Sequence, residues 1–232
     1  MKPNEILLNT MDTKINNTEE IENDHIGFSL ETPLRDDAFK LDDELKIELI
    51  EKHFKEIMQI LGLDLSDDSL KGTPNRVAKM YVNEIFSGLN PKNKPEVKLF
   101  ENRYNYKNIL LEKNISFHSV CEHHFVPIIG KAHLAYIPNG KVVGLSKLNR
   151  IVRYFAQRPQ VQERMTIQIT NMLKEELNTD SVAVIIEADH MCVAMRGVQD
   201  VHSSTVTSEY TGKFLDSNTR EELMKYIMLD GK

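Results

Sequence analysis

The 232-residue chain has two cysteines, no tryptophan, no basic excess and no apolar run approaching the roughly 18 residues that would span a bilayer. Two cysteines could form one disulfide at most. A reducing cytosol disfavours even that bridge, and it would leave the histidines beside both cysteines unexplained. The opening Met1-Lys2-Pro3-Asn4-Glu5-Ile6-Leu7-Leu8-Asn9 is too short in apolar residues for a signal peptide and carries an early acid, so a cytoplasmic address and no membrane partner are expected. A net charge of -6 argues against a nucleic-acid-binding surface. Any anionic ligand must then be held by a local basic pocket. The apolar fraction of 41% is that of an ordinary soluble globule, enough for one domain with a core plus an appendage.

Both cysteines sit in short clusters with histidine: Cys121-Glu122-His123-His124, and far downstream His190-Met191-Cys192. Soft and borderline ligands at two short spacings form the pattern of a zinc site, with Cys121 and one adjacent histidine from the first cluster and Cys192 from the second. Three protein ligands with an open fourth position would make the zinc catalytic; a fourth, from the remaining histidine or from His190, would make it structural. Neighbouring side chains on extended backbone point to opposite sides, so His123 and His124 are not expected to bind one ion together. If Cys121 and His124 are the ligands, His123 is left beside the metal for proton transfer. In a β-rich run His190 and Cys192 would share a face, placing His190 near the metal without binding it.

Three regions are legible. Residues 1–40, rich in Asn, Thr, Asp and Glu without sustained period, read as a polar, flexible arm. Residues 41–95 read as helical. Leu45, Leu49, Ile50, Phe54, Ile57, Met58 and Leu61 recur at helical spacing after Asp42 and before Gly62, and a second helix follows Thr73 as N-cap with Pro74 in its first turn. From residue 96 to 232 strands are expected over 108–120 and 126–137 with the first cluster at their turn. A helix capped by Ser146 follows, then an interruption at Pro159, a second helix over 161–177, and strands over 182–186 and 201–214. Thr219-x-x-Glu222 reads as a capping box opening a last helix. The order ββααββ implies an α+β antiparallel sheet with helices on one face and edges that oligomerisation would cover.

Cys121-Glu122-His123-His124-Phe125, Gly144-Leu145-Ser146-Lys147-Leu148-Asn149-Arg150, Gln157-Arg158-Pro159-Gln160-Val161-Gln162-Glu163-Arg164 and His190-Met191-Cys192 with Arg196-Gly197 occur in the order and at the separations of GTP cyclohydrolase I, which the chain closely resembles from residue 41 onward. The resemblance implies the tunnelling fold, in which ββααββ subunits join their sheets into barrels and stack as a homodecamer with active sites between subunits. It implies GTP as substrate, purine C8 hydrolysed, formate released and 7,8-dihydroneopterin triphosphate formed at the head of pterin and tetrahydrofolate synthesis. Zn2+ on Cys121, His124 and Cys192 would lower the pKa of its water towards about 7. His190 would protonate the purine N7 and His123 would serve the ribose. Glu163, with Gln162 beside it, would take the paired guanine donors. Ser146, Lys147, Arg150 and Arg196, with Arg76 from a neighbouring subunit, would hold the triphosphate.

Duller readings compete. Acidic residues near a helix start, such as Glu163, often serve only the helix dipole, and Lys147, Arg150 and Arg153 fit a solvated helix face. His118, His133 and His202 read as structural, and Arg158-Pro159 as a helix end. The rival function is a non-catalytic purine-nucleotide-binding protein with structural zinc; the two histidines left over by the ligand set favour the enzyme.

Overall fold

The computed structural model describes residues 29–229, so most of the expected arm lies outside the described residues. Its last part, from Ser29, lies along the molecule as irregular chain and reaches helix α1 (Asp43–Ile60), where the Asp42 carboxylate accepts the Leu45 N–H at 2.8 Å. Helix α2 (Thr73–Met80) packs on α1 and passes into a π-helical turn, Tyr81–Ile85. Gly72, not Thr73, is its N-cap, which puts Thr73 and Pro74 in the first turn. Gly88 then docks the helical region on the sheet-bearing part. Its N–H donates to the Gln157 carbonyl at 2.9 Å, and a Cβ there would lie 2.0 Å from the Tyr154 carbonyl oxygen, so no larger residue fits. Arg158 completes the joint, donating from Nε to the Gly88 carbonyl at 2.8 Å while its guanidinium lies over the Tyr154 and Phe155 rings.

In chain order there follow β1 (Leu99–Glu101), β2 (Leu110–Cys121), β3 (Pro127–Tyr136), β4 (Lys141–Val143), helix α3 (Leu145–Ala156), β5 (Pro159–Gln160), helix α4 (Gln162–Leu177), β6 (Val182–His190), a short helix α5 (Met191–Ala194), β7 (Thr205–Tyr210) and helix α6 (Ser217–Met228). Strands β1 and β4 form a two-stranded ribbon. The main sheet runs β5-β2-β3-β6-β7, antiparallel except where β5 lies parallel to the end of β2. On one face Ala132, Leu134 and Tyr136 of β3 and Val182, Val184 and Ile186 of β6 are buried under Leu148, Ile151 and Val152 of α3 and Met165, Ile169 and Leu173 of α4. Each such aliphatic side chain contributes about 1.5–3 kcal/mol by leaving water. The alternate residues Ala135, Ala183 and Ile185 face the other way, onto Phe214 and onto Leu223 of α6.

The expectation of helices on one face therefore describes α3 and α4 but not α6. Three boundary expectations also shift. Ser146 does not cap α3, which begins one residue earlier after Gly144. The Thr219–Glu222 capping box is not formed: Asp216 caps α6 by accepting the Thr219 N–H at 2.9 Å, and Glu222 instead accepts from the Tyr226 hydroxyl. The last strand is shorter than expected because Thr211 bonds back to Val182 and the chain turns into a 3-10 helix, Gly212–Leu215. Among the described residues β7 and most of β2 have no strand beyond them.

Candidate metal centre and active site

The β2–β3 connection is tight. Cys121 N–H donates to the Val126 carbonyl and Phe125 N–H to the Cys121 carbonyl, both at 2.9 Å, and Phe125 is forced to φ +53°, a region in which bulky side chains are uncommon. Its ring meets Phe86, which follows the π-helical turn, edge to face with centroids 5.4 Å apart. The helical region thus buttresses the turn that carries the first cluster. The second cluster arrives at the same place because β6 pairs with β3 up to Ile128 opposite His190. There the strand ends. Cys192 lies in α5 rather than in a strand, so the expected shared β face with His190 is not what brings them together; the switch from strand to helix does.

Sγ of Cys121, one ring nitrogen of His124 and Sγ of Cys192 lie within 4.8 Å of one another. Cys121 Sγ is 3.8 Å from His124 Nδ1. A tetrahedral zinc with bonds of about 2.3 Å to sulfur and about 2.0 Å to nitrogen would set such a pair roughly 3.5 Å apart, so the geometry fits an ion of that size. The donor chemistry fits as well. Burial, and the Cys121 thiol beside it, push the Cys192 thiol up to about 11, the behaviour of two sulfurs that a cation would let ionise together. Both cysteines are free. His123 Nδ1 is also 3.8 Å from Cys121 Sγ, although His123 is not in the mutually close trio. Residues 122–124 form a turn rather than extended backbone, so alternation does not send the two imidazoles to opposite sides; their ring centroids are 6.3 Å apart.

The first turn of α4 organises the rest. Gln162 is buried; its amide nitrogen donates to the carbonyls of Ile186 (3.1 Å) and Thr205 (3.0 Å), and its Oε1 lies 2.7 Å from His190 Nε2. Its side chain is hydrogen-bonded to two strands and to His190, while the neighbouring Glu163 is exposed at this end. Burial holds the His190 pKa below its ordinary value, favouring the neutral imidazole, against the opposing charges of Glu163 and Asp189. Arg196 also reaches this end, with Nη1 2.8 Å from His124 Nε2.

Ser146, Lys147 and Arg150 are not brought here. Ser146 and Lys147 lie in the first turn of α3 and Arg150 midway along it, where neighbouring Asn149 donates to Glu112 at 3.4 Å. Glu112 and Cys121 lie near opposite ends of β2, roughly 30 Å apart at the rise of a strand. Arg76, in the first turn of α2, folds back on its own chain, donating to the Ser69 carbonyl (3.0 Å) and Thr73 Oγ1 (2.9 Å). Two contacts had no signal in the sequence: Glu122 with Arg164 at 2.5 and 3.1 Å, and Phe125 with Phe86. The partners are far apart along the chain and of ordinary residue types.

The family model of GTP cyclohydrolase I matches residues 50–228. Among curated relatives, the GTP cyclohydrolase 1 of Flavobacterium johnsoniae is 56% identical over 212 residues, covering 91% of this chain and 95% of its own. That of Enterobacter sp. is 54% identical over 203 residues, covering 87% and 91%, and that of Salmonella choleraesuis is 53% identical with the same coverage. With a Cys–His–Cys trio and two further histidines gathered at one end of the sheet, and this similarity running through every element that gathers them, the chain belongs to the GTP cyclohydrolase I family.

Proposed function

We propose that the chain hydrolyses GTP at purine C8, releases formate and rearranges the ribose to give 7,8-dihydroneopterin triphosphate, with Zn2+ held by Cys121, His124 and Cys192. The observation that carries this reading is the trio itself, beside which His190 and His123 stand without belonging to it. An ion bound there supplies a Lewis acid that activates water for attack on the purine. His190, oriented by Gln162 and held neutral at rest by burial, takes up the proton released by the attacking water and hands it on to N7 as the five-membered ring opens. His123, on the exposed side of the turn, serves the ribose during opening and rearrangement.

Glu163 accepts from guanine N1–H and the 2-amino group, two parallel donors that match one carboxylate. Arg196 meets the triphosphate from the metal-bearing chain. Ser146, Lys147 and Arg150 lie along α3 outside the trio, so they serve a site completed by another subunit, with Arg76 also contributed across an interface. A ring of tunnelling-fold subunits, stacked as a homodecamer in the cytoplasm, would bring the ends together and cover the open edges of β2 and β7. The test is incubation of the purified protein with GTP, with and without a chelator. Formate and an oxidisable pterin fluorophore should appear and should vanish on chelation; GTP bound but unconsumed would favour the non-catalytic alternative.

A further inference from the structure

Arg164 is a buried cation one residue beyond Glu163, and its side chain is only 3% exposed. Nη1 and Nη2 grip the two carboxylate oxygens of Glu122, and Nε donates to the Ser29 carbonyl at 2.8 Å, so its fork is used from both sides. Glu122 stands between Cys121 and His123. Its N–H donates to the Gln160 carbonyl at 3.1 Å, and its Oε1 is 3.9 Å from His123 Nε2. A buried ion pair rarely stabilises a fold better than apolar packing of the same volume, but its bidentate geometry fixes orientation.

We propose that Arg164, acting through Glu122, is a positioning residue that sets the His123 imidazole against the substrate. The inference rests on the proton-transfer role proposed for His123. The first turn of α4 then works on both imidazoles. Gln162 orients His190 by a neutral hydrogen bond, and two residues later Arg164 holds Glu122 by an ion pair, with Glu122 Oε1 standing 3.9 Å from His123 Nε2. Glu163 lies between them, so one helical turn would hold the guanine and aim both imidazoles at it. The segment entering from Ser29 is tied to the same arginine, and Gln168 donates to the Glu31 carboxylate at 3.2 Å. That segment walls a cavity of about 590 Å3 that is also lined by Glu122, His123 and Phe125.

Glu122→Gln keeps the size and removes the charge; Arg164→Lys keeps the charge and removes the fork. Each should lower kcat about 10- to 100-fold, the usual loss when the partner that orients an active-site group is removed. Metal per chain should stay at the parent level and the KM for GTP should move by less than about threefold, since guanine and phosphate contacts are intact. The double variant should be little worse than the poorer single one, because both substitutions break one unit. If Arg164→Lys does not fold, Glu122→Gln and Glu122→Asp decide alone, Glu122 being the less enclosed partner. A Glu122→Gln protein with parental kcat, losses that multiply in the double variant, or a loss carried by KM would each overturn the proposal. His123→Asn separates the two readings. If it is inactive while Glu122→Gln is normal, only the positioning role falls; if it turns over GTP normally, the role of His123 falls with it.

Discussion

The two ends of β2 carry opposite chemistry. At the Cys121 end are the two thiols, three imidazoles and the Glu163 carboxylate, gathered by a turn, a strand end and the first turn of α4. Toward the Leu110 end α3 begins, with Ser146 and Lys147 in its first turn and Arg150 midway along it, outside the Cys–His–Cys trio. One end suits bond-making at a purine; the other suits an anion. No contact within one chain joins the two groups among the described residues, and in the function proposed above a second copy of the chain would bring them together.

Disabling the metal end should have the largest effect. Cys192→Ala is expected to lose bound zinc and essentially all turnover, measurable as zinc per chain; full occupancy would show that the ligand set is wrong. His190→Ala should keep its zinc and still lose about 10²- to 10⁴-fold in dihydroneopterin formation, the range for a positioned acid–base group. Equal loss of zinc would make His190 a ligand instead. At the cationic end the effect should be smaller and fall on binding: Arg150→Ala is expected to raise the KM for GTP about 10- to 100-fold, as for one lost charged hydrogen bond. Zinc content should not change, and an altered zinc content would deny that the two ends are separate. Smallest is Phe125→Ala, which removes the Phe86 contact and should cost about 1 kcal/mol in thermal unfolding. An unchanged melting temperature would show that the helical region does not buttress the metal turn.

The same two ends differ in how far they are legible in the sequence. Metal ligands announce themselves by rare residue types at short spacing, so Cys121, Cys192 and one of the adjacent histidines stand out from the sequence alone, the resemblance points to His124, and the fold gathers that trio. The sheet and its two long helices follow from the hydrophobic periods, which burial of Leu134, Ile151 and Ile169 enforces. What escapes is set by contacts across the fold. Gln162 reads in the sequence only as a companion of Glu163, and nothing there shows its amide bonded to two strands and His190. The alternation argument for His123 and His124 assumes extended backbone, whereas the turn is closed by a left-handed Phe125. Caps fail for a similar reason: Asp216 and Thr219 are both competent, and the local chain path decides for Asp216.

Subunit complementation tests the central claim, that the metal end and the cations of α3 are contributed to one site by different copies of the chain. Cys192→Ala and Arg150→Ala proteins, each inactive or nearly so at low GTP, would be unfolded together, refolded as mixed oligomers and assayed at that concentration. If every site takes its metal end from one chain and its cationic end from another, up to about a quarter of the sites in an equal random mixture regain both intact halves. Activity should then rise well above the sum of the separately refolded proteins. Activity no greater than that sum, in oligomers shown to be mixed, would contradict the account.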